Sequence, residues 1–351
     1  MGAGLSGLTA AYKLENYGFQ PIIFEKREKV GARFVNAEAM MHFINSPIKD
    51  VFYYLSLEHK LPLQPTFPIS KLEFYSPQEK ATIAGDIGYI TIRGNYPTSL
   101  EKQLAKLINS KINYEQEPDY QKLKNEFDKV IIATGDPQIT KNLKQWQKTD
   151  VSVKIIGATI KGNFEVTTVK MWLNQNFAPQ GYAYLLPFEE KLASIALATP
   201  YDIVDWKELW QKFLNQLNFN FEVKDTFQID KYEIGKSKTQ AFDNTYLVGN
   251  AGGFIMPFLG FGQFSAIESS LLAVEAITQN KDYNQLTKRL RRDYQASYKL
   301  RKIIGAMSNQ HYDKLVKSLN NKLVKQLFLQ RKINLTKLIA WLSTPFASRL
   351  N

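Results

Sequence analysis

Three glycines near the N-terminus, Gly2, Gly4 and Gly7, fit the spacing G-x-G-x-x-G, whose chemistry is the holding of a pyrophosphate. One such glycine makes a tight turn, one lets backbone amides approach the phosphates, and one lets a helix pack closely on a strand. Seventeen residues separate Gly7 from Glu25, which closes the apolar run that starts at Pro21. A carboxylate there can accept hydrogen bonds from both ribose hydroxyls of an adenosine. Together these residues point to dinucleotide binding; taken alone, the glycines would fit an ordinary turn.

A second glycine loop, GNAGGFIMPFLGFG from Gly249 to Gly262, stands far along the chain. It follows the short apolar run TYLVGN. It is followed in turn by QFSAIESSLLAVEAI, whose apolar residues recur at helical spacing. Each glycine loop is therefore expected between a strand and a helix: Leu8 to Leu14 carries the first helical pattern, and the segment after Gly262 the second. A strand of about five apolar residues should precede such a fingerprint, yet only Met1 precedes Gly2. The pattern leads us to expect a natural start several apolar residues earlier.

Between the loops, Lys71 to Tyr75 and Gly88 to Arg93 read as strands, Ser99 to Ile108 as a helix, and Lys129 to Thr134 as a buried strand ending at Gly135. From Val151 to Ile160, Asn163 to Lys170, Gly181 to Leu186 and Lys191 to Leu197 the apolar runs are separated by turns, which predicts an antiparallel sheet. A helix is expected over Asp205 to Leu217, before the chain returns to the nucleotide fold at Thr245. The sheet would form a wall facing the cofactor.

Composition removes several chemistries. The chain has 351 residues, no cysteine and three scattered histidines, His42, His59 and His311. Cysteine nucleophiles, thiolate metal sites and disulfides are excluded, no metal centre is expected, and a reducing, cytoplasmic setting is. No secretory leader is expected, and no apolar run is long enough to span a bilayer. The net charge of +12 is carried by the tail: residues 285–351 hold 15 basic and 2 acidic side chains, while the remainder sums to −1. Leu290, Tyr294, Tyr298, Ile303 and Ile304, then Leu315, Leu319, Leu323, Leu327 and Leu329, mark basic amphipathic helices. These helices could pack on the body with solvated basic faces, or lie on anionic lipid with Leu and Trp341 dipping in. No nucleic-acid motif accompanies the charge.

The late loop resembles a motif of the geranylgeranyl reductase family, single-Rossmann flavoproteins related to aromatic hydroxylases. The family pattern G-D-A-A-G-x-x-x-P-x-x-G-x-G is kept in register by Gly249, Ala251, Gly253, Pro257, Gly260 and Gly262, with Asn250 at the usual Asp. GYITIRGNYPTSL resembles the family's strand and helix start that place an arginine, here Arg93, near the cofactor. GYAYLLPF resembles its Y-x-W-x-F-P-K wall, with Tyr182 and Pro187 matching and Tyr184, Leu186 and Phe188 departing. The likeness reaches the terminal helices.

The resemblance implies an α/β fold. A Rossmann-type FAD-binding domain would form from 1–50, 85–140 and 240–280, an inserted antiparallel β-sheet substrate domain from 51–84 and 141–239, and basic C-terminal helices from 281–351. FAD would meet Gly2, Ala3, Gly4, Ser6, Gly7, Glu25 and Lys26 at its adenosine and pyrophosphate, and Arg33, Arg93, Ala133 and Gly135 along its length. Gly249 and Asn250 would meet its ribityl and phosphate portion, and Pro257, Gly260, Phe261 and Gly262 would run beneath its ring. Tyr182 and Tyr184 would be catalytic or pocket residues, one donating a proton; as ordinary strand aromatics they would pack a core. The implied activity is hydride transfer through flavin to or from a largely apolar, isoprenoid-type substrate, with NAD(P)H as a transient donor. A flavin monooxygenase of the same fold and a non-catalytic flavin-fold protein with a membrane-surface tail stay open.

Overall fold

The computed structural model describes residues 1–330 apart from 46, 203 and 204. The expectations for 331–351, Trp341 included, lie outside the described residues. The first half of the chain runs α1 (Leu5–Glu15), β1 (Ile23–Phe24), β2 (Asn36–Met41), α2 (His42–Asn45), α3 (Val51–His59), β3 (Phe67–Tyr75), β4 (Lys80–Arg93), α4 (Leu100–Ala105), β5 (Ile112–Asn113), α5 (Tyr120–Glu126), β6 (Val130–Ile132), α6 (Gln138–Asn142) and β7 (Trp146–Lys161). It continues through β8 (Thr168–Trp172), β9 (Tyr182–Pro187), β10 (Leu192–Pro200), α7 (Trp206–Leu214), β11 (Glu222–Ser237), β12 (Ala241–Phe242), β13 (Thr245–Leu247) and α8 (Gln263–Gln279). Four helices end the described residues: α9 (Tyr283–Leu286), α10 (Lys288–Gly305), α11 (Asn309–Ser318) and α12 (Lys322–Leu329).

Two small parallel ladders make the nucleotide half. β1 pairs with β5, and β13 pairs with β6, with β12 antiparallel at the outer edge. Met1 and Gly2 span the interval between the ladders: the Met1 amine donates to the Ile131 carbonyl at 2.7 Å, the Ala133 amide donates to the Met1 carbonyl at 2.8 Å, and the Gly2 amide donates to the Phe24 carbonyl at 2.8 Å. α1 and α8 pack against each other beside these strands, joining Leu5, Leu8 and Ala11 to Phe264, Ile267 and Leu271 in one core.

The remaining strands form one eight-stranded sheet in the order β11-β7-β10-β9-β8-β3-β4-β2. The expected sheet is antiparallel throughout; the observed one is mixed, because β3 and β8 run parallel. The strand expected from Asn163 begins only at Thr168: Gly162 and Phe164 donate their amides to the Lys191 and Glu190 carbonyls between β9 and β10, and the Thr168 amide donates to Glu165 across a turn. β2, inside the 1–50 segment, is an edge of this sheet, and β4 runs through residues 84 and 85, so the sheet draws on segments from both sides of that boundary.

Side chains alternate across the sheet. On one face Tyr182, Tyr184 and Leu186 join Leu72, Phe74, Ile83 and Val169. On the other Ala183 and Leu185 join Ile160, Ile195 and the α7 residues Trp206 and Phe213. Full burial of an aromatic such as Phe213 contributes about 1.5–3 kcal/mol. α10 and α11 set Leu290, Tyr294, Leu300, Tyr312 and Val316 inward, so their apolar stripes pack on the body. α12 buries no residue fully; Val324, Phe328 and Leu329 lean on the first sheet face, while Leu323 is 71% exposed.

Candidate active site

The first glycine loop is shaped partly by the protein itself and partly by an opening. A β-carbon on Gly7 would sit 1.8 Å from the Gly2 carbonyl oxygen, and one on Gly2 would sit 2.4 Å from that of Ala133. Those two glycines are needed for close packing. Gly4 differs: an added β-carbon meets nothing within 4 Å. α1 begins at Leu5 with no side-chain cap, so its first amides and the positive end of its dipole face that open space. Glu25 completes the loop from β1: one carboxylate oxygen accepts the Ala3 amide at 2.7 Å and the other the Arg27 amide at 3.0 Å. A carboxylate offers about four acceptor positions, so Glu25 keeps capacity for hydroxyl donors. Lys26, beside it, pairs with Asp136 at 3.6 Å on the surface.

The second loop meets the first. The Ser6 hydroxyl donates to the Ala266 carbonyl at 3.1 Å, and Gly249, at φ +56°, would place a β-carbon 2.5 Å from that same hydroxyl oxygen. Asn250 is buried, and its amide donates to the carbonyls of Gly135 at 3.1 Å and Glu233 at 3.3 Å. Two acceptors face this side chain, so an amide fits where a carboxylate would not. Its Oδ1 has no hydrogen-bond partner among the described residues; buried polar atoms are rarely left so. Ala133 and Gly135 follow β6 next to this point. Pro257 is buried, Leu259 and Gly260 both take left-handed backbone, and the Phe261 carbonyl accepts the Met256 amide at 2.8 Å. Gly262 ends the loop at α8, whose N-terminus also lacks a side-chain cap.

Of the wall tyrosines, one reaches back to the second loop and the other to β2. Tyr182 donates to the Leu259 carbonyl at 2.5 Å and Tyr184 to the Asn36 Oδ1 at 3.1 Å, with their rings 6.2 Å apart. Burial raises both phenols well above the ordinary tyrosine value, which keeps them neutral.

Arg33 and Arg93 stand in a charge cluster. Arg93 donates from Nε to Glu101 at 2.6 Å and lies 3.7 Å from Glu38; Arg33 lies 3.8 Å from Glu38. Two cations meet two carboxylates, so the arginines are internally compensated. Burial acts to raise the Glu38 carboxyl, but Arg93 and Arg33, with hydrogen bonds from Gln263 and Asn36, outweigh it and hold it below the usual carboxylate range. Tyr232 lies in the same field and is pushed up to about 12, chiefly by burial. Asn36, Glu38, Glu101, Tyr232 and Gln263 escape sequence reading, since they are spread over β2, α4, β11 and α8 and share no motif.

Open space over Gly4, an uncapped helix end, acceptor capacity on Glu25 and an unpartnered Asn250 oxygen suit a dinucleotide with a polyol arm. Residues 1–44 match the family described as NAD(P)-binding Rossmann-like domain. Over 92% of this chain and 90% of the relative, the sequence is 24% identical to digeranylgeranylglycerophospholipid reductase of Methanocaldococcus jannaschii. Among solved structures, a geranylgeranyl bacteriochlorophyll reductase-like protein from Thermoplasma acidophilum superposes with a TM-score of 0.76 at 18% identity, covering 99% of this chain and 96% of that one. This chain resembles the geranylgeranyl reductase family. The flavin-dependent halogenase CmlS shares the fold with a TM-score of 0.66 at 15% identity, covering 99% of this chain and 70% of that one. The relatives by sequence are named reductases of geranylgeranyl-bearing lipids, and the relatives by fold include flavin-dependent enzymes. The resemblance carried by Gly249 to Gly262 therefore extends over nearly the whole chain.

Proposed function

We propose that this protein is an FAD-dependent reductase acting on a long apolar substrate of isoprenoid type. The observation that carries the reading is the contact of Ser6 with Ala266 and Gly249, which joins the two glycine loops at one place. The similarity to a reductase of geranylgeranyl lipids over 92% of the chain supports the substrate class.

The first-turn amides of α1 would hold the pyrophosphate, Glu25 the adenosine ribose, and the Asn250 oxygen a ribityl hydroxyl. Bound flavin would supply hydride transfer at its N5. Gly260 to Gly262 would run beneath the ring, and Tyr182 and Tyr184 would close the other side, excluding water and aligning an apolar chain against the sheet face that carries Leu72 and Phe74. NAD(P)H would act as a transient donor, because no second G-x-G-x-x-G loop occurs in the chain.

Among the described residues no helix is long and apolar enough to cross a membrane. The basic outer faces of α10 to α12, with Leu323 exposed, would meet anionic lipid where such substrates reside. Full-length protein pelleting with anionic but not neutral vesicles, and released by salt, is the expected result; equal pelleting removes the membrane contact.

An absorbance scan after FAD addition tests the cofactor. Two visible bands are expected, bleaching anaerobically with NADH or NADPH, and a geranylgeranyl lipid should then gain two hydrogens per double bond by mass. Protein that stays colourless in excess FAD overturns the reading, and an oxygenated product in air reassigns it to a monooxygenase.

A further inference from the structure

We infer that Glu38 sets the hydrogen-bond polarity of the tyrosine wall, so that Tyr184 presents an acceptor to a bound molecule and not a proton. The inference rests on the reading that this wall faces the substrate.

Glu38 sits among donors from four elements. Arg93 on β4 and Arg33 in the loop before β2 approach it at 3.7 and 3.8 Å, Gln263 at the start of α8 donates its amide to one oxygen, and the Asn36 amide donates to the other at 3.4 Å. An ionised carboxylate only accepts. It therefore orients both neighbouring amides by the same rule, since a reversed amide would set oxygen against oxygen. Gln263 fits the same arrangement: with its NH2 turned to Glu38, its Oε1 lies 2.8 Å from the Thr91 hydroxyl, which is also 3.2 Å from the Glu38 backbone carbonyl. Asn36 obeys likewise, turning its Oδ1 to the Tyr184 hydroxyl at 3.1 Å.

A phenol has one proton, and that of Tyr184 is committed to Asn36. What remains toward the pocket is a pair of lone pairs. Tyr182 has the same polarity by a different route, because the Leu259 carbonyl it meets at 2.5 Å can only accept. Burial disfavours tyrosinate at both positions, and a carboxamide does not readily relay a proton, so a proton surrendered by Tyr184 would not be replaced through Asn36. Glu38 is thus a positioning residue for the wall. The group lying against the two phenol oxygens is a hydroxyl or N–H donor, or a hydrocarbon segment, and the proton that completes reduction of a double bond comes from elsewhere.

Neutron diffraction on the unmutated, perdeuterated full chain tests this with or without FAD, so it stands apart from the cofactor reading. Deuterons on Asn36 Nδ2 toward Glu38 and on Tyr184 toward Asn36 are expected. A Tyr184 deuteron aimed into the pocket, or an Asn36 amide turned to face Tyr184, overturns the inference. In solution, 3-fluorotyrosine at position 184 should show one sharp fluorine resonance. Glu38→Gln, confirmed as folded by its melting transition, should move it toward the position seen in Asn36→Leu, in which the acceptor is gone. A resonance that Asn36→Leu displaces and Glu38→Gln leaves unmoved would show that Glu38 does not set the polarity.

Discussion

The hydroxyl of Ser6 lies 3.1 Å from the carbonyl oxygen of Ala266, 260 positions away in the chain. It also occupies the space that a side chain at residue 249 would need. Gly249→Ala should lose about 2–4 kcal/mol by combining overpacking with left-handed backbone, and Ser6→Ala about 1 kcal/mol for its hydrogen bond. The double variant should lose less than the sum, because removing the hydroxyl relieves the clash. Urea unfolding of the four proteins checks this; strict additivity would contradict the contact.

Asn250→Asp, although it restores the residue usual in the family, is expected to destabilise this chain. It removes the donor that serves the Gly135 and Glu233 carbonyls and sets a buried carboxylate against them, a loss of about 1–3 kcal/mol. Stability should partly return on acidification, as the new carboxyl regains a proton. Denaturation midpoints at neutral and mildly acidic pH measure both effects.

Glu38 gives an acid-side prediction with a definite sign. Its folded carboxyl titrates below the ordinary value of 4.5, with burial opposed and outweighed by Arg93 and Arg33. The stability it contributes is present above that value and disappears as pH falls through the folded one. Glu38→Gln should therefore be less stable near neutrality and show a shallower decline below about pH 4.5. Parallel curves would count against the charge cluster.

On the alkaline side, Tyr182 and Tyr184 titrate far above the ordinary value and Tyr232 near about 12, all chiefly through burial. Raised phenols contribute stability below their unfolded value of about 10 that is lost as pH rises above it. Phenolate absorbance should show these tyrosines ionising only with unfolding, and Tyr184→Phe should remove one late-titrating phenol. Free titration of all eighteen tyrosines near the ordinary value would place the wall in solvent.

Much of the site was legible because its signals are local. Gly2, Gly4, Gly7 and Glu25 lie within one loop-helix-strand unit, and Gly249 to Gly262 carry their spacing in fourteen consecutive residues, so turn chemistry and helix periodicity suffice to find them. The sheet was less readable. β2 is NAEAMM, without a β-branched residue, and it is a strand because β4 pairs with it. β11 is EVKDTFQIDKYEIGKS, an edge strand whose charged side chains face water for much of its length; charge there protects an edge but masks the alternation that reveals a strand. The partners of Arg33 and Arg93 were invisible for a further reason. An ion pair leaves no mark in sequence when its carboxylate comes from another element, so both arginines read as free cations although Glu38 and Glu101 neutralise them.

The two-sided sheet makes the chemistry depend on a single count. β9 is held against β10 with Tyr184 opposite Ala196 and Leu185 opposite Ile195. A slip of one position would still satisfy a ladder, yet it would swing both phenols into the layer beneath α7 and bring Ala183 and Leu185 forward in their place. The product would be a compact molecule of unchanged topology that is chemically blank at the wall, and insertion or deletion of one residue in the turn after Pro187 is the change by which such a molecule would arise.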